Sequence, residues 1–530
     1  MSGTSKKQNF LQGAALLALA TAAVKVIGAL YKLPLNAIIG EKGFGYFYTA
    51  YDIYNVLLLI STAGLPVAVS KMISAASAMG HYNQVRRVYN TSRIIFLSLG
   101  LISSLLMTLF CRQLAVFQEQ PDAWFAILCL GPCAFLVCLL STYRGFFQGQ
   151  SNMLPTSISQ VLEAAIKLVV GILAAVVLLK ITESVSLAAG GAILGVTTSC
   201  LISAFYLRGK FTKEYRVLPQ TGEKVTSYGE TAKQILAIAV PITIGTAGLQ
   251  LLTVLEAKVY MAQLLASGMS QGEADTVKGI YNMTQTIYNM PCSFIFPITI
   301  SVIPALTAHL TTGNHAAVKS TEESTARITA LIALPCSVGL ALLAGPVTGL
   351  LGGYEGENLA LATQLMALLG ICIFLHAVVL VTTSLLQAHN HAVVPVVNML
   401  ISGVARIIIV YILTGNPNIG LLGVPIGSIL SNLGIMVLNM LSMGRLIPQK
   451  PAFFRNLLRP LPPALLMGVA VYGATWLLQK VTDSRLILCA LPVMVGVAAY
   501  VVLVALCKSV TREDCLLLPK GEKIAKLLRL

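Results

Sequence analysis

The sequence predicts an all-α polytopic membrane protein: about 14 transmembrane helices, as two pseudo-symmetric six-helix lobes plus two C-terminal helices around a central cavity. Three observations predict it. The 530 residues are 56% hydrophobic and only 11% charged, against about 25% charged in an ordinary soluble domain. Long apolar segments recur along the whole chain, giving a mean hydropathy of +0.81. The alternation of period two that marks a transmembrane barrel is absent.

The predicted spans run over approximately 10–39, 45–79, 85–112, 122–148, 153–181, 186–208, 231–266, 277–310, 323–351, 357–388, 391–415, 419–446, 453–480 and 485–508. Several exceed the roughly 20 residues that cross a bilayer. Tilt or extension into the headgroup region absorbs the excess. The first apolar run continues past Ala20–Ala23 to Ile39, so it is expected to be retained rather than cleaved.

Charge alternates between loops. One set carries Lys6 and Lys7, Arg86 and Arg87, then Arg208, Lys210, Lys213, Arg216, Lys224 and Lys233. It continues with Lys319, with Arg445, Lys450, Arg455 and Arg459, and with the tail. The opposite set is acidic or neutral: Glu119 and Asp122, Glu183, Glu273 and Asp275, Glu355 and Glu357. The positive-inside rule then places both termini in the cytoplasm. These loops account for the net charge of +16, which therefore does not point to nucleic acid. The 11 cysteines lie mostly within apolar segments, without CxxC or Cys/His spacing. They read as small apolar fillers, and no metal is expected.

The chain also repeats itself. Tyr54-Asn55 is matched by Tyr288-Asn289, and Gly80 to Arg93 is echoed by Gly313 to Arg327. Gln148, preceding Pro155 and Lys167 of span 5, recurs as Gln387, preceding Pro395 and Arg406 of span 11. Gly191-Ala-Ile-Leu-Gly195 recurs as Gly423-Val-Pro-Ile-Gly427. The expected organisation is an N-lobe over 1–209, a basic cytoplasmic linker over 210–230 and a C-lobe over 231–447. Two added spans follow over 448–508, then a basic and apolar tail over 509–530. An even number of spans per unit makes the repeats parallel, and transporters so built place their site at the interface of the halves.

Charges inside spans mark candidate functional residues. A lysine at a bilayer centre costs roughly 2.5–3.5 kcal/mol even on lenient scales. Lys25 and Lys32 both interrupt the first apolar run, with Gly28 and Asn36 on the same helical face. They predict the wall of a basic, wet cavity able to hold an anion. Span 2 carries Tyr48, Tyr51, Asp52, Asn55 and Thr62, and span 8 carries Tyr281, Gln285, Tyr288 and Asn289 in the same pattern. These either line the cavity and hydrogen-bond a sugar or peptide headgroup, or glue helices together. Asp52 has the alternative of pairing with Lys25 or Lys32.

Glu163 and Lys167 have the i,i+4 spacing of a local pair. Arg406 has no acidic neighbour at helical spacing, which favours it as a cavity residue. Glu256 in span 7 either binds a proton or Na⁺ and couples transport, or pairs with a lysine of span 1. Lys71 and Arg144 lie toward cytoplasmic span ends and are expected to snorkel or to meet lipid phosphate. His376 is expected to be a hydrogen-bonded interior residue. Pro66, Pro241, Pro291, Pro297, Pro304 and Pro395 are kinks or bending points. Span 13 is almost free of polar residues after Pro463, which suits a groove for a lipid tail. The tail from Thr511 suits an interfacial segment held by anionic lipid. No DxD, nucleophile elbow or P-loop is present, so an enzyme is not expected.

Three stretches resemble a known family: Phe10–Lys32 (FLQGAALLALATAAVKVIGALYK), Ile39–Tyr46 (IGEKGFGY) and Ser61–Lys71 (STAGLPVAVSK). They are similar to the stage V sporulation protein B-like proteins. Those belong to the multidrug/oligosaccharidyl-lipid/polysaccharide exporter superfamily, with the bacterial lipid II flippases as relatives. The resemblance implies two lobes around a V-shaped cavity in a bacterial cell membrane. It implies transport of an undecaprenyl-linked cell-wall glycan from the inner to the outer leaflet, with wall-synthesis proteins as partners. In lipid II flippases basic residues of helix 1 are thought to engage the diphosphate, the role that falls to Lys25 and Lys32. This sequence departs from that pattern in span 8, which has no basic residue between Lys278 and His309. A different lipid-linked glycan therefore stays open, as do a drug/cation antiporter and a non-transporting partner of wall-synthesis enzymes. Na⁺ or H⁺ coupling, or the membrane potential, is the expected drive, with no other cofactor.

Overall fold

The computed structural model describes residues 10–510, except 63–64, 151, 312, 448–451, 483 and 508. The expectations for Lys6, Lys7, Lys450 and the tail from Thr511 lie outside the described residues. So do those for the side chains of Lys25, Thr62, Pro241, Pro297 and Pro304.

Every described regular element is helical. α1 (Phe10–Thr62) and α2 (Leu65–Ala78) cover the first two predicted spans. Only Gly40 breaks the helix inside α1, at φ 67° and ψ 178°, a backbone conformation that residues with a Cβ avoid. The two arms meet: the Lys32 ammonium reaches the hydroxyl of Tyr48, which is as far beyond Gly40 as Lys32 is before it.

Span 3 is α3 (Tyr82–Leu109) with the short α4 (Cys111–Phe117). A 3₁₀ turn at Pro121–Ala123 leads into α5 (Trp124–Gly149), followed by α6 (Leu154–Thr182) and α7 (Val185–Val217). Next come α8 (Tyr228–Ala266), α9 (Gln271–Thr311), α10 (His315–Leu342), the short α11 (Ala344–Leu351) and α12 (Gly356–Ala388). α13 (Val393–Thr414) precedes α14 (Gly423–Leu446), and the short α15 (Phe453–Leu458) precedes α16 (Leu461–Leu478) and α17 (Arg485–Leu506). Among the described residues, 10 segments are long and apolar enough to cross a membrane. The other predicted spans coincide with the arms of α1 together with α2, with α8 and with α9. The chain is a multi-pass membrane protein.

The chain divides into two compact units, Met1–Asn282 and Met283–Leu530. In the first, α3 packs on α5, α5 on α7, and α6 on α7. In the second, α10 packs on α12, α12 on α14, and α13 on α14, the same order of neighbours. The repeated motifs explain why. Gly80 and Gly313 both adopt positive φ, 73° and 68°, and end the turns that enter α3 and α10. Both glycines of each Gly-x-x-x-Gly pair lie at a close crossing. In the first unit Gly191 faces the Ala174 carbonyl and Gly195 faces Gly171. In the second Gly423 faces Leu413 and Gly427 faces Val410. Small residues let such helices approach in lipid, where no hydrophobic force drives them together.

A Cβ on Gly195 would stand 2.3 Å from the Gly171 nitrogen. Gly195→Ala is therefore expected to cost about 1–3 kcal/mol, read as a lower melting temperature of the detergent-solubilised protein. An unchanged melting curve would show that α6 and α7 can part freely.

The linker between α7 and α8 is docked. His81 gives α3 no side-chain cap, so the first N–H groups of that helix need other acceptors. Thr221 Oγ1 accepts from the backbone N–H of Tyr82 at 3.1 Å and of Asn83 at 3.3 Å. Glu223 Oε1 accepts from the Gln84 N–H at 3.0 Å. The Gln84 side chain exchanges hydrogen bonds with Thr226, and Arg86 donates to the Leu218 carbonyl at 2.6 Å. Ser227 then caps α8 by accepting from the Glu230 N–H at 3.1 Å.

Candidate functional site

The polar residues of the first unit gather where the arms of α1 face α6, α8 and the start of α9. Lys32 donates to the Tyr48 hydroxyl at 2.7 Å and lies 4.7 Å from the centre of that ring. Phe44 packs edge-on against Tyr48 at 5.1 Å, and Tyr51 packs against Phe47 at 4.8 Å. These aromatic contacts hold the span 2 tyrosines in place. Asp52 is half-buried, and its carboxylate feels the charges of Lys278, Lys32 and Glu256. Glu256 on α8 is buried. Lys278 is 0% exposed and donates to Thr49 Oγ1 at 2.6 Å. The cluster therefore sets two lysines, Lys32 and Lys278, beside two acids, Asp52 and Glu256.

A further cation stands beside it. Lys167 on α6 lies 5.7 Å from the ring centre of Tyr31, within electrostatic reach of Lys32. Glu163, one helical turn from Lys167, acts on it electrostatically as the i,i+4 spacing predicts, and is also engaged from another helix. Arg144 on α5 donates to Glu163 Oε2 at 2.8 Å and to Ser159 Oγ at 3.2 Å. Arg144 thus binds a carboxylate rather than snorkelling, and Lys167 turns to an aromatic face.

The second unit holds its own constellation. The Tyr288 ring lies 6.4 Å from the His376 ring and hydrogen-bonds Cys372. Asn432 donates to Cys372 Sγ at 3.3 Å and hydrogen-bonds His376, so His376 is an interior hydrogen-bonded residue as expected. Arg406 acts electrostatically on the same Cys372. The first unit repeats the plan. Tyr54 lies 3.5 Å from Cys133 Sγ, Cys133 lies 3.4 Å from Cys200 Sγ, and Lys167 feels both thiols. Each unit therefore joins a tyrosine, a cysteine and the basic residue of its fifth span.

The predicted site residues fall out unevenly. Lys32 and Asp52 come together, with Glu256 within reach of Asp52. Tyr288 and Arg406 come together around Cys372. Tyr281 is buried with its ring edge-on to Tyr260 at 6.0 Å. Gln285 is half-buried and Asn289 exposed. Among the described contacts, none ties the side chains of Asn55 or Asn289 to either cluster. The Lys25 side chain lies outside the described residues. Sequence reasoning missed Lys278 and Thr49. Lys278 looked like the edge of a span, and only a buried charge one turn from Asp275 could have signalled it.

The profile of the polysaccharide biosynthesis proteins matches residues 10–309. The lipid II flippase MurJ of Bacillus subtilis (strain 168) is 23% identical over 414 residues, covering 75% of this chain and 76% of its own. Stage V sporulation protein B of the same organism is 23% identical over 447 residues, covering 83% and 85%. A solved lipid II flippase MurJ in an inward closed conformation superimposes with a TM-score of 0.68 at 13% identity, covering 93% of this chain and 98% of its own. A MATE family multidrug resistance transporter of the MOP superfamily gives 0.62 at 16% identity, covering 82% and 95%. These last two likenesses show the fold. Taken with the profile match over more than half its length, the chain belongs to the polysaccharide biosynthesis protein family.

Proposed function

We propose that the protein is a flippase. Its cargo is a polyprenyl-diphosphate-linked cell-wall oligosaccharide precursor, moved from the inner to the outer leaflet of a bacterial cell membrane by alternating access. The observation that carries this reading is the positive charge held within membrane-embedded helices of the first unit. Lys32 sits on Tyr48, Lys278 on Thr49 and Lys167 beside Tyr31. Positive charge at that depth offsets the diphosphate, while the lipid tail stays in an apolar medium. The lipid II flippase relative from Bacillus subtilis supports the same substrate class.

The second unit adds an apolar cavity of about 470 Å³ between α10, α16 and α17, lined by Pro335, Gly339, Met467, Val471, Gly496 and Tyr500 among others. It suits a prenyl chain, the use read from the polar-free span 13. Both termini are cytoplasmic in this proposal, and the two six-helix sets over 1–209 and 231–447 are the elements that move. An inside-negative potential favours outward movement of negative charge by about 2.3 kcal/mol per charge per 100 mV. Glu256 is the candidate for ion coupling.

The test is a vesicle assay with purified protein and a panel of polyprenyl-diphosphate saccharides, reading cargo accessible in the outer leaflet. Lys25→Ala combined with Lys32→Ala is expected to slow flipping at least about ten-fold, the loss of one 1.4 kcal/mol interaction. Flipping that survives unchanged overturns the roles of these lysines. Efflux of cationic dyes by the same vesicles would instead favour a drug antiporter.

A further inference from the structure

A second buried polar cluster lies away from the Lys32–Asp52 pair, at the acid-rich ends of the helices. It joins Tyr46 on α1, Asp122 in the 3₁₀ turn before α5 and Asp275 in the second turn of α9. Tyr46 and Asp275 are each 1% exposed, whereas Asp122 is exposed. The Tyr46 hydroxyl lies 3.0 Å from Oδ2 of Asp275 and 3.1 Å from Oδ2 of Asp122. Asp275 Oδ1 accepts from Gln120 Nε2 and from Gln271 Nε2, each at 2.9 Å.

Donor counting exposes a shortage. A phenol has one proton to give, and an ionised carboxylate has none. With both acids ionised, Tyr46 serves one of them, and its other contact sets lone pairs against lone pairs. One added proton removes the conflict. Placed on Asp275 Oδ2, it is donated to the Tyr46 oxygen, and Tyr46 donates its own to Asp122. Asp275 Oδ1 is then the carbonyl oxygen of a neutral acid and accepts the two amide N–H groups. Burial makes the neutral acid the cheaper form at Asp275, while water solvates the exposed Asp122.

The charged and titratable groups facing Asp275 are few. α1 contributes Tyr46 and Lys42, whose ammonium lies 5.8 Å from the Tyr46 ring centre. The turn before α5 contributes Asp122, and α9 contributes Lys278. Glu273 is exposed and accepts from Ser270. Asp275 precedes the predicted span 277–310. Burial raises its carboxyl above the ordinary range, against the opposing pull of Gln120, Gln271, Tyr46 and Lys42.

We infer that one proton shared between Asp275 and Tyr46 latches the start of α9 to α1 and to the turn before α5, and that rising pH opens this latch. The sign follows from the raised carboxyl. Its stabilisation is present at low pH and is lost as pH rises through the folded-state value. The released proton leaves to water past the exposed Asp122. The latch also reaches the basic site: Lys278 donates to Thr49, Thr49 to Gln120 Oε1, and Gln120 to Asp275. This device is independent of the cargo assigned above.

The test uses the full chain in lipid nanodiscs. Infrared spectra taken across a pH series are expected to show a protonated-carboxyl C=O band that fades as pH rises. Asp275→Asn should remove the band and Asp122→Asn should leave it. Hydrogen exchange over residues 271–282 is expected to accelerate about ten-fold beyond its intrinsic pH dependence in the wild type, and to stay slow in Asp275→Asn. Absence of the band, its survival in Asp275→Asn, its loss in Asp122→Asn, or identical exchange in wild type and Asp275→Asn overturns the latch. If Asp275→Asn does not fold, the wild-type series decides alone: no fading band, or exchange that follows only the intrinsic pH dependence, overturns it.

Discussion

Lys278→Met is expected to destabilise the solubilised protein by about 3–5 kcal/mol, the range for removing one partner of a buried charge pair. Methionine nearly matches the lysine in volume, so the loss is chiefly electrostatic. It leaves Thr49 without its donor at 2.6 Å and the carboxylate of Asp52 without one of its two nearby cations. Asp52 is half-buried and keeps Lys32, which sets the loss toward the lower end of the range. Asp52→Asn added to Lys278→Met should recover part of it. The coupling from the double-mutant cycle is expected within about 0.5–3 kcal/mol. Flipping should fall with Lys278→Met even below the melting temperature, because the basic site has lost a charge. A single variant that melts and transports like the wild type would show that Lys278 is no part of that site.

Gly279→Ala is the second change with a large expected effect. A Cβ there would lie 1.7 Å from the Glu41 carbonyl oxygen and 2.4 Å from its carbon. Both are main-chain atoms, so no rotamer change relieves the clash. Gly45 faces the Asp275 carbonyl at 2.9 Å in the same way. The methyl group must push α9 off α1, at more than the about 1–3 kcal/mol of ordinary overpacking. The Tyr46–Asp275 contact should break with it. Exchange over 271–282 should then be fast at every pH, and Asp275→Asn should have no further effect. A Gly279→Ala protein with wild-type melting and slow exchange would mean that the two helices do not approach so closely.

The fold was largely legible because lipid makes hydropathy an almost sufficient guide. The departures have local causes. Span 6 was expected to end near Arg208, yet α7 runs to Val217. A helix leaving the bilayer keeps its backbone hydrogen bonds while its side chains turn charged. α9 begins at Gln271, ahead of the expected start at 277, because its first turns are polar yet buried. The internal repeat was readable from its glycines and from Tyr54 and Tyr288, since backbone geometry fixes the former and the shared cysteine contacts the latter.

The site was legible only in part. Lys32 and Asp52 stood out because charge inside a span is costly. Arg144–Glu163 could not be read, because the partners lie on different helices and a nearer lysine offered a plausible match. Lys278 was hidden by its position at a span boundary, where a lysine ordinarily attracts no notice.

The docked linker sets a limit on mechanics. Ten residues joining α7 to α8 would, as free coil, give α8 a wide leash of roughly 15–20 Å. Stapled along Thr221–Thr226, the leash shrinks to the few residues on either side of the staple. Any swing of α8 must either drag the start of α3 along or unzip the staple bond by bond. The basic side of this unit therefore behaves as a pivot with little slack, and larger displacements fall to the opposite end, where the carboxyl-tyrosine clasp can let go.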